Sequence, residues 1–342
     1  EICSNQMKNI IAKSFTTILI AMVTFLDAQT INRYGTTTAN FLEIGVGSRA
    51  TSMGDAYVAV ANDVSSIYWN PAGLAHVTRS SALFSIQPWL VDIDMMFAGG
   101  AFVVPSLGVI GLGITHLDYG EMDVTNLQYQ DGTGERFGAS DVAATFTFSR
   151  KIVSWFSFGS SMKYISSKIW HSSASAFAVD LGVLVNTNFF SFTGKDKDGM
   201  NIGMSISNYG TRMKYDGIDN YQPIDISEFE EGNYGDVAGQ FRTSEWELPL
   251  IFRIGFSIKP IVTNLMNLTL SADALHPNNN AESLNIGAAL DNKIPGFGVV
   301  SLTMGAKSGM NSLTKEDNDI GVTFGAGTKM FYLGNKIGRA HV

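Results

Sequence analysis

Residues Gly45-Val46-Gly47-Ser48-Arg49-Ala50 fit the G-x-G-x-x-A pattern of a dinucleotide-binding loop, and Asp63 stands near the spacing of a ribose-binding acid. That chemistry requires a strand–turn–helix unit feeding a parallel sheet. Here the loop precedes an antiparallel meander, so the motif is a decoy. The histidines, His76, His116, His171, His276 and His341, lie far apart, none in a metal-ligand spacing such as H-x-x-x-H. The serines form no nucleophile-elbow pattern. Asp216-Gly217-Ile218-Asp219-Asn220 lacks the regular oxygen spacing of a calcium loop and reads as a solvated acidic turn. Cys3, the only cysteine, precedes the apolar N-terminal stretch, which excludes a disulfide, a cysteine metal site and a cysteine nucleophile from the exported part. The expectation is a non-enzyme with no catalytic residues, no metal and no cofactor.

The elements around these residues are strands. In Asp141–Arg150, Val142, Ala144, Phe146 and Phe148 share one face, and Ala143, Thr145, Thr147 and Ser149 the other. That is a period-2 pattern. Phe252, Ile254, Phe256 and Ile258 likewise oppose Arg253, Gly255, Ser257 and Lys259, while Ile202, Met204 and Ile206 oppose Asn201, Gly203, Ser205 and Ser207. Leu268, Leu270 and Ala272 oppose Asn267, Thr269, Ser271 and Asp273. A soluble sandwich would alternate too, with its apolar face inward. Alternation alone leaves open which face meets which solvent.

Length, loops and aromatic residues favour lipid. The strands run to about ten residues, as tilted membrane strands do. Short turns at Pro105–Gly108 and Asn292–Gly296 alternate with long connections at Gly120–Gly138 and at the acidic Tyr209–Glu247, which reads as an extracellular loop. Trp89, Trp155, Tyr164, Trp170 and Trp246 fall near strand ends, as an interfacial girdle requires, although core packing would explain any one of them equally well. Twelve candidate strands run from Ser80 to Tyr332. The chain is 45% hydrophobic and only 16% charged, with 35 glycines and a mean hydropathy of +0.10. The net charge of −8 excludes the basic face a nucleic acid would need.

From Met7, Lys8 and Lys13 precede an apolar stretch, Phe15–Leu26, too short for a spanning helix of roughly 20 residues. With Ala28 as a small residue for cleavage, 1–28 reads as upstream sequence plus an export signal. Residues 336–342 show no strand alternation and are expected to be a non-native tail after a wall spanning 80–335.

Between signal and strands, Phe41–Ala75 does not alternate. Its small residues suit one or two short helices broken near Asn62-Asp63. Asp63 is placed to cap a helix over Val64–Trp69, and Asn70-Pro71 to end it. The stretch FLEIGVGSRATSMGDAYVAVANDVSSIYWNPAGLA resembles the opening of the PorV/PorQ family, relatives of FadL-type outer-membrane proteins, and Leu248–Gly255 is similar to that family's strand after the long loop.

The resemblance implies an all-β transmembrane antiparallel barrel of about fourteen strands, two of them missing from the C-terminus here, with a short helical N-terminal plug over 29–79. It implies that Arg49, Gly54, Asn62, Asp63, Trp69, Asn70, Pro71, Ala72 and Gly73 are plug and family-motif residues, with Asn70–Gly73 a hinge into the first strand. It further implies the Gram-negative outer membrane, contact with its lipid, and a part in type IX secretion, binding or shuttling cargo and meeting secretion-system subunits. The alternatives are a FadL-like channel for hydrophobic small molecules and a barrel of purely structural role.

Overall fold

The computed structural model describes residues 33, 35–91, 93–194, 198–225, 236–309, 320–332 and 335–341. The export signal read over 1–28 lies outside them. All twelve expected strands form: β1 (Ser81–Pro88), β2 (Asp94–Val104), β3 (Gly108–Asp123), β4 (Arg136–Val153), β5 (Phe156–Ile169), β6 (Ser172–Asn186) and β7 (Asn201–Gly210), then β11 (Ile251–Val262), β12 (Met266–Pro277), β13 (Ser283–Ile294), β14 (Gly298–Gly309) and β15 (Ile320–Tyr332). Between β7 and β11, the acidic connection carries β8 (Asp216–Gly217), β9 (Tyr221–Asp225) and β10 (Asp236–Gln240). A last strand, β16 (Asn335–His341), follows.

Each wall strand pairs antiparallel with its neighbour in the order β1–β7, β11–β16, while β8 adds to β6 and β9 pairs with β10. Among the described residues this ladder does not close, and β1 and β16 remain its edges. Residues 336–341, expected to lie in a tail outside the strands, pair instead with β15 as part of β16. Backbone pairing needs only free N–H and C=O groups, which an edge strand supplies whatever its side-chain pattern.

The structure decides the question that alternation left open. Phe146, Phe177 and Phe324 are 48%, 63% and 73% exposed on the outer face, whereas Thr147, Asp180 and Asp273 are fully buried on the inner one. Such a wall is stable only where the outer solvent is itself apolar. No helix among the described residues is long and apolar enough to cross a membrane. Replacing Phe146, near the middle of β4, by Arg should cost about 2–4 kcal/mol of folding stability in lipid vesicles. An unchanged urea midpoint for F146R would show that this face does not meet hydrocarbon.

Trp155 lies at the short-turn end and Trp89 and Trp170 at the opposite end, but Tyr164 stands mid-wall against Phe177 at 5.2 Å. Its place in the girdle is corrected, because outward positions recur along the whole strand.

Candidate functional site: the plug and its seat

Inside the wall, the segment from Thr37 to His76 descends from the long-loop end to the short-turn end. It comprises 3-10 turns at Asn40–Glu43 and Pro71–His76, and one-turn helices at Ser48–Ser52 and Ser66–Trp69. At its upper end, Thr38 N donates to Glu247 O at 3.0 Å and Asn279 Nδ2 to Thr37 Oγ1 at 2.8 Å. At its lower end, His76 meets Ser157 at the turn between β4 and β5.

So irregular a backbone leaves carbonyls that no helix satisfies, and each buried one requires a partner. The wall supplies them. Ser149, Ser205, Ser257 and Ser271, on four different strands, donate to the carbonyls of Ala72, Trp69, Ala59 and Ala56. Asp273 Oδ2 accepts from Val58 N at 2.7 Å. One side of the plug is greasy instead: Val46, Ile67, Trp69 and Leu74 belong to one core cluster with Met95, Phe97, Val109 and Leu117 of β2 and β3.

Most expected motif residues meet in this seat. Arg49 forks onto Asp291 of β13, with Nη1 and Nη2 at 2.8 and 2.9 Å from its two oxygens, and Nη1 also reaches Ser301. Burial opposes the Arg49 charge, but the hydrogen bonds and charge of Asp291 outweigh it and raise the guanidinium pKa. Gly54 has φ +65, and a Cβ there would sit 2.7 Å from Ala306 N, so β14 admits only a glycine at that approach. Beside it, Asp55 pairs with Lys307 of β14, while burial raises its carboxyl pKa.

Trp69 is buried, donates from Nε1 to Val46 O at 2.8 Å, and packs edge-on against Tyr57 and Tyr68. Arg253 of β11 lies over Tyr68 and Trp69 at 5.6 and 5.8 Å, a buried cation–π arrangement.

Asn70 is the most fully engaged of them. Nδ2 donates to Val58 O and, across to β6, to Val183 O, both at 3.0 Å, while Oδ1 accepts from Ala72 N at 3.1 Å. Asn70 does end the preceding helix, in extended conformation, but it then caps the Pro71–His76 turn. Asn70–Gly73 is therefore a wedge held in the lumen, not a hinge into β1. Pro71 lies so close to β5 that a Cβ at Gly159 would fall 2.3 Å from its carbonyl carbon, and Ala72 and Gly73 are buried behind it.

Asp63 caps locally, but over a shorter element than expected. Its Oδ1 accepts from Ser65 N at 3.0 Å, and the helix spans only Ser66–Trp69, with Val64 packed into the core cluster just ahead of it. Asn62 is exposed and lies apart from the seat.

Sequence reading did not single out the wall side of these contacts, nor the buried pair Lys163–Asp180 at 2.7 Å, which Asn208 braces. The available signal was position: Arg253, Ser257, Ser271 and Asp273 all stand on the polar face of an alternating strand. Among the described residues no strand precedes the decoy loop, and Gly47 simply precedes the Ser48–Ser52 helix. Asp216 accepts from Gln240 Nε2, and Asp219 faces His171.

His76 carries a pH dependence. Burial, helped by Lys151 and Lys259, pushes its pKa down to about 4 from an ordinary 6.5. The unfolded chain takes up this proton at higher pH than the folded one, so stability falls as pH drops from 6.5 toward 4. The H76Q variant should therefore lose less stability than the parent between pH 7 and pH 4.5 in urea titrations. Equal losses would remove His76 from the account.

A family model described as Type IX secretion system protein PorV matches residues 27–233, covering the plug and β1–β7 but not the Leu248–Gly255 stretch. No curated protein sequence matches the chain. Among solved structures, the chain is similar to the CymD monoaromatic hydrocarbon channel, with 8% identity, 84% of this chain and 89% of that one covered, and a TM-score of 0.49. It is also similar to the Pseudomonas putida toluene transporter TodX, with 10% identity, coverage of 84% and 89%, and a TM-score of 0.47. For a Pseudomonas aeruginosa FadL homologue the values are 11%, 90%, 87% and 0.44. Because the family model spans well over half of the 342 residues, the plugged, inside-out wall is that of a PorV family outer-membrane β-barrel.

Proposed function

We propose that this protein is a non-enzymatic component of type IX secretion, reaching the outer membrane through the N-terminal export signal and binding exported cargo or translocon subunits at its long-loop rim. The observation that carries this reading is the PorV family match across the plug and first seven strands. The rim supports it. Tyr209, Phe241 and Trp246 are exposed there, and aromatic side chains of this kind anchor protein interfaces. A bridge from Glu247 to Thr37 ties the returning limb of the long connection to the plug, and one from Trp246 to Met213 ties it to the outgoing limb.

The seat between plug and wall is tight, while an apolar cavity of about 870 Å³ lies against β1–β6 beside Phe84, Leu112, Phe146 and Phe177. Between the plug and β2–β5, the cavity lined by Phe41, Ile67, Phe97 and Lys163 amounts to about 10 Å³, room for one water at most.

Affinity purification of the protein from outer membranes tests the reading. Recovery of translocon subunits or signal-bearing cargo, reduced by replacing Phe241 and Trp246 with Ser, is the expected result. Recovery of neither would overturn it.

A further inference from the structure

The lower mouth of the lumen is basic. Thr147 and Ser149 face inward on β4, so Lys151, two residues further, continues that row. Asp291 receives Arg49 from the lumen, which places Lys293 on the inner face of β13. On β15, Thr323 donates to Ser52 of the plug, and the same row ends at Lys329. Lys293 and Lys329 both register with Val299 of β14, putting their backbones roughly 9–10 Å apart. On β11, Ser257 donates to Ala59 of the plug, and Lys259 stands two residues further toward this end. All four lysines therefore surround the end at which the plug leaves the wall.

Acidic groups are sparse in these rows. Of the inward positions at this end of the described strands, Asp291 is the carboxylate, and it holds Arg49. Nearby Asp198 is buried and accepts from Thr193. Lys151 and Lys293 are exposed, and Lys259 and Lys329 are partly so. The opposite rim differs in sign, carrying Asp118, Glu121, Asp123, Asp216, Asp219, Glu245 and Glu247.

We infer that this lysine-lined mouth is a docking site for an acidic peptide segment of a periplasmic protein. Short turns mark the periplasmic end of an outer-membrane barrel. Lumen-facing rows point away from the bilayer, which disfavours lipid phosphates. Cations spread over several strands suit an extended polyanion better than a single small anion, and such contacts steer association and weaken with salt. The site lies at the other end of the barrel from the proposed cargo rim, so the two readings stand or fall separately.

The test uses the full-length protein in nanodiscs of zwitterionic lipid and a fluorescent oligoglutamate peptide, read by anisotropy at low salt. Expected is saturable binding that weakens about tenfold when Lys151 and Lys293 are both changed to Gln, is retained in the K151R/K293R protein, and is unaffected by Arg242→Gln on the far rim. Retained heat-modifiable migration of each variant confirms the fold. Equal binding by the parent and K151Q/K293Q proteins would overturn the proposal, as would displacement of the peptide by equimolar inorganic phosphate. Binding to phosphatidylglycerol vesicles but not to the peptide would assign the mouth to lipid and equally overturn it.

Discussion

Changing Asn70 to Asp is expected to unseat the plug. The substitution preserves shape but replaces an amide that donates to both Val58 O and Val183 O with a carboxylate oxygen facing the same two carbonyls. Asn70 is fully buried, and a Cβ at Gly182 would stand 2.2 Å from Oδ1, so nothing can give way without moving β6 or the wedge. Leaving a buried acceptor without its donor costs about 1–3 kcal/mol, and an unpaired buried charge costs more. N70D should therefore lose at least ~3 kcal/mol in urea unfolding of the detergent-solubilised barrel, and N70A less, because it buries no charge. The same order should appear in planar bilayers as rising open-channel conductance. If N70D were as stable as N70A, the wedge would not depend on that amide.

A second large effect is expected where Arg49 ties the Ser48–Ser52 turn to β13. Removing one member of a buried ion pair typically costs about 3–5 kcal/mol, because the abandoned charge stays desolvated, and this pair, whose side chains are 13% and 24% exposed, should lose toward the lower end of that range. R49M takes the guanidinium away from Asp291, to which Ser301 Oγ also donates at 2.5 Å. Most of that loss should return in the R49M/D291L double variant, since removing both charges removes the desolvation penalty with them. A double-mutant cycle measures this directly: strong coupling is expected, and simple additivity of the two single losses would show that the fork contributes nothing. Because Arg49 and Asp291 are 242 residues apart, the pair also links the start of the plug to a late strand, and R49M should raise conductance as N70D does.

These two sites differ in how far the sequence announced them. Asn70 before Pro71 is a local signal, and the end of a helix there follows from backbone sterics alone. Its two long donors to Val58 and Val183 are not local, and neither is its second task as a cap. Arg49 could be read as a polar residue bound for the lumen, but no pattern in the chain points to Asp291. Asp63 was legible because its acceptor serves an amide two residues on. Gly54 was legible only as a small residue, since the need for it comes from the backbone of Ala306.

The wall was legible nearly throughout. Val142, Ala144, Phe146 and Phe148 mark a strand because successive side chains in extended backbone must point to opposite sides. That constraint acts over neighbouring residues, so the sequence by itself determined the strands, most of their ends and the irregular segment ahead of them. It could not say that the apolar rows face outward, because the same alternation serves a water-soluble sandwich. Only the tertiary structure decided that, by enclosing Thr147, Asp180 and Asp273 around a plug whose carbonyls need donors. It also decided the partners: Asp55 with Lys307, Lys163 with Asp180, and residues 335–341 with β15. Such pairings depend on how distant strands are brought into register, and that is set by the energy of the whole assembly.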